Sequence, residues 1–145
     1  MGLEENKSVV RRGFEEGFNM GDFSIAEEVV SADYTNHEAT DRSVRGPEAA
    51  KETMSWLRHS FPDLHFAVDE MIAEENQVWA LVRMSGTHDN EFAGIPPTGN
   101  SFEVKQIHRF RLADGKITDH WAVRDDLGMM QQLGVIPAPG GPAAA

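Results

Sequence analysis

Two segments near the end of the chain, Gln106-Ile107-His108 and His120-Trp121-Ala122-Val123-Arg124, carry residue types that move protons and hold developing negative charge. His108 has a reference pKa near neutrality and can act as a proton carrier, or it can join Gln106 in gripping a ligand carbonyl. His120 and Arg124 can each polarise an oxygen, and a permanently cationic guanidinium suits an enolate or phenolate. Simpler roles compete for the same residues. His108 can be a hydrogen-bonded core histidine, and Arg124 can pair with Asp125, Asp126 or another carboxylate at the mouth of a site.

Both segments read as strands. In an extended run from Lys116 to Arg124, Thr118, His120, Ala122 and Arg124 share one face, and Ile117, Asp119, Trp121 and Val123 share the other. In the strand from Ser101 to Leu112, Gln106 and His108 lie on the face that carries Phe102, Val104 and Phe110. Polar groups among such neighbours require partners when buried. These two strands form a hairpin across Asp114-Gly115. Leu64–Glu74 and Val78–His88 form another around Glu75-Asn76-Gln77.

Upstream the period changes to three and four. Val9, Val10, Gly13, Phe14, Gly17 and Phe18 predict an amphipathic helix from Leu3 to Met20. Asp22 caps a second over Phe23 to Val30. Gly46-Pro47 opens a third that runs to Ser60 and is stopped by Pro62. Tyr34-Thr35-Asn36-His37 is a short extended piece. Asp126 is placed as the N-cap of a last helix over Leu127 to Leu133, with Asp125 beside it.

Helices first and a twisted antiparallel sheet after them predict an α+β architecture. A curved sheet packs against the N-terminal helices as a cone that encloses a cavity. The long apolar connection from Glu91 to Asn100 forms part of the rim. The organisation expected is one domain over residues 1–136 and a flexible tail over 137–145, PAPGGPAAA.

The 145 residues hold 13 Lys and Arg against 24 Asp and Glu, a net charge of -11. That balance excludes nucleic acid and anionic membrane surfaces as natural partners. The absence of cysteine removes thiol nucleophiles, disulfides and thiolate metal sites, and is compatible with a reducing cytoplasm. No apolar span is long enough for a membrane, and the charged N-terminus is no signal peptide. The chain is therefore placed in the cytoplasm. His37, His108 and His120 match no recognised ligand spacing, so no metal is expected.

Five sequence segments together give a resemblance: Asp33-Tyr34-Thr35-Asn36-His37, Gly94-Ile95-Pro96-Pro97-Thr98-Gly99, Gln106-Ile107-His108, His120-Trp121 with Asp125-Asp126-Leu127-Gly128, and Gln131-Gln132-Leu133-Gly134. In this order, from about Glu4 to Leu133, the chain resembles the SnoaL-like polyketide cyclases of the nuclear-transport-factor-two-like superfamily. The resemblance implies a cofactor-free enzyme that closes a ring of an anthracycline-type aromatic polyketide by intramolecular aldol condensation. It implies catalytic roles for His108, His120 and Arg124. The implied binding roles fall to Asn36, Gln106, His37, Trp56 and Phe110.

One position departs from the pattern. The residue after the His-Trp pair is, in the resembled cyclases, the Asp that transfers the proton, and here it is Ala122, which cannot. The resemblance also covers hydroxylase-type relatives that work beside a reductase, and a non-catalytic module binding a hydrophobic aromatic molecule is a further alternative. Cones of this kind often pair through exposed sheet faces, so a homodimer belongs to the expectation.

Overall fold

A computed structural model describes residues 2–137; the expected tail lies, apart from Pro137, outside the described residues. The chain opens with helix α1 (Leu3–Arg12), which continues without a break as a wider π-helical stretch over Gly13–Asn19. The long helix predicted by the spacing is therefore present, but its second half winds more loosely. Gly17 is where it crosses the third helix. A Cβ there would stand 2.5 Å from the Met54 methyl, so the end of the Met54 side chain would have to move to admit one.

The second helix is shorter than the sequence suggests. A 3₁₀ turn over Phe23–Ile25 leads into a single turn, α2 (Ala26–Val29), and Val30 already begins strand β1 (Val30–Asn36). Asp22 occupies the N-cap position, but its carboxylate accepts the Ser24 hydroxyl and no backbone N–H. Helix α3 (Pro47–Ser60) follows with Pro at its first turn, and Gly46 supplies the preceding left-handed residue at φ 73°.

Strands β2 (His65–Glu74), β3 (Gln77–Thr87), β4 (Ser101–Ala113) and β5 (Lys116–Arg124) form an antiparallel meander, and α4 (Asp126–Gln132) closes the chain. The β4–β5 turn needs two positive φ angles, supplied by Asp114 at 52° and Gly115 at 76°. The sheet order is β1-β5-β4-β3-β2, with β1 parallel to β5. The expected antiparallel sheet is thus a mixed one, because the extended piece at Tyr34 is a full edge strand laid along the last strand. The five strands do not close into a barrel.

Alternation along β3 and β4 is strict, with Val78, Ala80, Val82 and Met84 and then Phe102, Val104, Gln106, His108 and Phe110 all turned inward. The helices cover this face. Ile25, Val10, Val29 and Leu133 are fully buried between layers, and Phe61 seats beneath the Phe92 loop. The other face of the sheet is open, with Trp79, Ile107 and Val123 exposed. No helix among the described residues is long and apolar enough to cross a membrane.

Two expectations at the end of the chain are corrected. Asp125, not Asp126, caps α4, its carboxylate accepting the Gly128 N–H at 2.8 Å. On β5, pairing slips between Arg111↔Asp119 and Leu112↔Ile117, so Thr118 is an extra residue. This bulge returns Ile117 to the inward face, where it is buried, instead of leaving it beside Asp119 and Trp121.

Candidate active site

Between the helices and the inward face of the sheet lies a cavity of about 610 Å³. That volume suits a ligand of several fused rings. Its walls are largely apolar: Phe14 and Phe18 from the first helix, Met54 and Trp56 from α3, Phe66 from β2 and Met129 from α4. The π-helical stretch brings Gly13, Phe14 and Phe18 to the same wall. At the mouth Trp56 stacks on Phe92 of the rim loop, ring centroids 5.1 Å apart.

The floor is polar. Register fixes it, because Gln106 faces Arg124 across the strands, His108 faces Ala122, and Phe110 faces His120. On its other side His108 faces Ala80, so the imidazole stands between two alanines in the sheet. Asn36 arrives from β1, paired directly with His120.

The four polar side chains form one line. Gln106 Oε1 is 2.7 Å from His108 Nε2, His108 Nδ1 is 2.7 Å from His120 Nε2, and His120 Nδ1 is 2.8 Å from Asn36 Oδ1. Asn36 is anchored from behind. Its oxygen accepts the Glu38 N–H, and its amide donates to Thr53, whose hydroxyl donates to the Ala49 carbonyl. The backbone donor fixes that oxygen's identity, so His120 must carry its proton on Nδ1.

Burial pushes both imidazoles toward the neutral form. His120 falls to about 3, through burial first and then the charges of Arg124 and His37; His108 falls well below the ordinary value through burial, His120 and Arg124. Arg124 lines the cavity and lies 3.5 Å from Asp126, so both roles foreseen for it are compatible with its place. Tyr34, buried beside the cavity, has its phenol pushed up by burial and by the charge of Asp119.

Of the residues singled out in the sequence, Asn36, Gln106, His108, His120, Arg124, Trp56 and Phe110 all line the cavity. His37 does not. One residue past Asn36, it stacks flat on Trp121 at 4.4 Å and meets Asp119 at 2.9 Å, on the open face of the sheet. Although burial raises Asp119, the hydrogen bonds from His37 and Thr118 hold its carboxyl below the usual range. The alternation of a strand separates Asn36 from His37, and only the pairing of β1 with β5 decides which points inward. Among aromatic and methionine candidates, Met54, Phe66 and Met84 line the cavity, whereas Phe61 and Met71 do not. Sequence reading missed Thr53, Tyr34 and Phe14. The signal for Thr53 was its place one turn before Leu57 on the helix facing Asn36.

The family model of the SnoaL-like polyketide cyclases matches residues 8–133. The chain belongs to that family. It is 36% identical over 123 residues to the aklanonic acid methyl ester cyclase DnrD of Streptomyces peucetius, covering 82% of this chain and 84% of that protein. It is 32% identical over 120 residues to the nogalonic acid methyl ester cyclase of Streptomyces nogalater, covering 81% and 89%. Among solved structures, AclR, a candidate hydroxylase of Streptomyces galilaeus, superposes with a TM-score of 0.83 at 25% identity, over 98% of this chain and 88% of that one. Among the described residues of this SnoaL-like chain, no group of three or more His, Cys, Asp or Glu is arranged to hold a metal ion.

Proposed function

We propose that this SnoaL-like protein closes a ring of an anthracycline-type polyketide ester by intramolecular aldol condensation, without a bound cofactor. The observation that carries the reading is the polar line Gln106–His108–His120–Asn36 at the floor of an otherwise apolar cavity. A carbon flanked by carbonyls gives up a proton, the resulting enolate carbon attacks a ketone carbon of the same molecule, and the new alkoxide takes a proton back. No atom or electron is exchanged with a second reactant. His108 and His120 take the proton that Ala122 cannot. Arg124 and Asn36 hold the enolate oxygen, and Trp56 and Phe110 clasp the flat ring system.

The test is turnover of an aklanonic-type methyl ester by wild type, His108→Ala and Ala122→Asp, with products followed by mass and chirality. Ring-closed product from wild type and a loss of roughly a hundredfold or more in His108→Ala support the reading. Product from Ala122→Asp alone sinks it. In that case the second reading, hydroxylation beside a reductase, takes over. It draws on the likeness to AclR and on the alanine at 122.

Two expectations extend the proposal. The lack of cysteine fits action in the cytoplasm. Homodimerisation would cover the apolar outer sheet face, where Ile72, Trp79, Ile107 and Val123 are exposed.

A further inference from the structure

The polar line holds a proton-counting problem. Three short contacts join four ring nitrogens to two amide oxygens, those of Gln106 and Asn36. Each contact needs one hydrogen, so three of the four nitrogens must carry one. Two neutral imidazoles supply only two. Asn36 cannot resolve the shortage, because its oxygen is fixed by the Glu38 N–H.

Gln106 can resolve it. Among the described residues its amide nitrogen is held only by the thioether of Met84, at 3.1 Å, a weak acceptor that constrains the amide little. With its oxygen toward His108, the line fits a pair of imidazoles sharing one extra proton. Turned over, its NH₂ donates to His108 Nε2, His108 Nδ1–H donates to His120 Nε2, and His120 Nδ1–H donates to Asn36, with both rings neutral. The three contacts of the line are made in either protonation state, and the neutral state leaves the Gln106 oxygen against the Met84 thioether without a donor.

The surroundings set what makes the extra proton stable. Facing the pair are the apolar rings of Phe14, Phe66 and Phe110, the phenol of Tyr34 from β1, and the guanidinium of Arg124 from β5. The carboxylates Glu38 and Asp41 after β1, Glu52 on α3 and Asp126 on α4 all belong to the lining, but none of them hydrogen-bonds the imidazole pair. A cation on the pair beside Arg124 is stabilised by an anion in direct contact with it, and none of these carboxylates makes that contact. A ligand seated on the floor can supply it.

Resting on the ring-closing reading above, we infer that the cavity holds its aromatic ligand as the conjugate anion of a phenol or 1,3-dicarbonyl, with the ligand's proton shared by His108 and His120 and with Gln106 turning to follow it. The ligand's O–H or C–H bond breaks, an N–H bond forms, and the charge of the cavity as a whole is unchanged. No oxidant or reductant takes part. His108 is then the proton's point of entry, and His120 is a positioning residue that stabilises it through His108.

The probe is 1,8-dihydroxyanthraquinone, whose visible spectrum separates phenol from phenolate, titrated with wild-type protein at about pH 6.5, where the free compound is neutral. The expected result is the phenolate spectrum in the bound state, which for a phenol of pKa about 10 means an acidity raised at least roughly a thousandfold, with the dimethyl ether bound at least roughly tenfold more weakly. His120→Gln, checked by circular dichroism, loses the phenolate spectrum. Should that variant fail to fold, the wild-type spectrum titrated against pH decides alone. A neutral bound spectrum, equal binding of the ether, or no binding of either compound overturns the inference. The probe cannot cyclise, so the outcome separates from the turnover test. Ring closure with a neutral bound probe sinks only this inference, and a phenolate spectrum without ring closure sinks only the reaction.

Discussion

His108, buried, and His120, half-buried beside it, sit where a charge is expensive, and that cost is visible in the stability of the whole protein. Their folded pKa values lie below the ordinary 6.5, so between that value and about 3 for His120 the unfolded chain binds protons that the folded chain refuses. Stability is therefore complete above pH 6.5 and is lost as the pH falls through this window, at up to about 1.4 kcal/mol per pH unit for each imidazole. Urea unfolding between pH 7 and pH 4.5 should show this slope, and His108→Gln/His120→Gln should flatten it. A double variant as steep as wild type would mean that the acid sensitivity lies elsewhere. The residue types of the floor were legible because Gln106 and His108 stand at alternate positions among inward apolar residues. His37 was misplaced because a histidine beside an asparagine carries no local mark of which way its strand will turn.

At the scale of elements, the parts with strong local signals were readable, and the parts made by long-range pairing were not. The α3 boundaries match the expected Pro47 to Ser60, because proline at the start and Pro62 after the end are local instructions. The bulge at Thr118 has no such signal: nothing in Lys116-Ile117-Thr118-Asp119 says that β4 will pair out of step there. The same holds for the π-helical winding over Gly13–Asn19, which the spacing registers only as helix. The cap of α4 was misassigned by one residue, since either of two adjacent aspartates can serve. Asp125→Ala should lower stability by about 1 kcal/mol in thermal or urea unfolding. Asp126→Ala should leave it nearly unchanged, and the reverse order would contradict the observed cap.

Across the whole molecule, the open face of the sheet combines exposed apolar side chains with cations on aromatic rings. The chain carries -11 overall, yet Arg83, Lys105, Arg109 and Arg111 sit on its open side, with Arg109 packed 4.4 Å over Trp121. That face combines exposed Ile107 and Val123 with aromatic rings already held flat by cations. Sedimentation of wild type should show a dimer, and Ile107→Glu with Val123→Glu should shift it to monomer without altering far-ultraviolet circular dichroism. A wild-type monomer at all concentrations would remove the face from that role. The cone itself was foreseeable from the order of helices and hairpins. Its parallel edge was not, because β1 is separated from its partner by most of the chain.

That edge also dictates when the site comes into being. Asn36 and His120 are 84 positions apart and meet only through the pairing of β1 with β5. As the chain leaves the ribosome, the first strand waits unpaired until almost the last has emerged. The floor of the cavity is therefore among the final things to be built, and a nascent chain stopped before Lys116 carries the first three helices and three of the sheet's antiparallel strands but lacks His120, Arg124 and the strand that brings Asn36 to the floor.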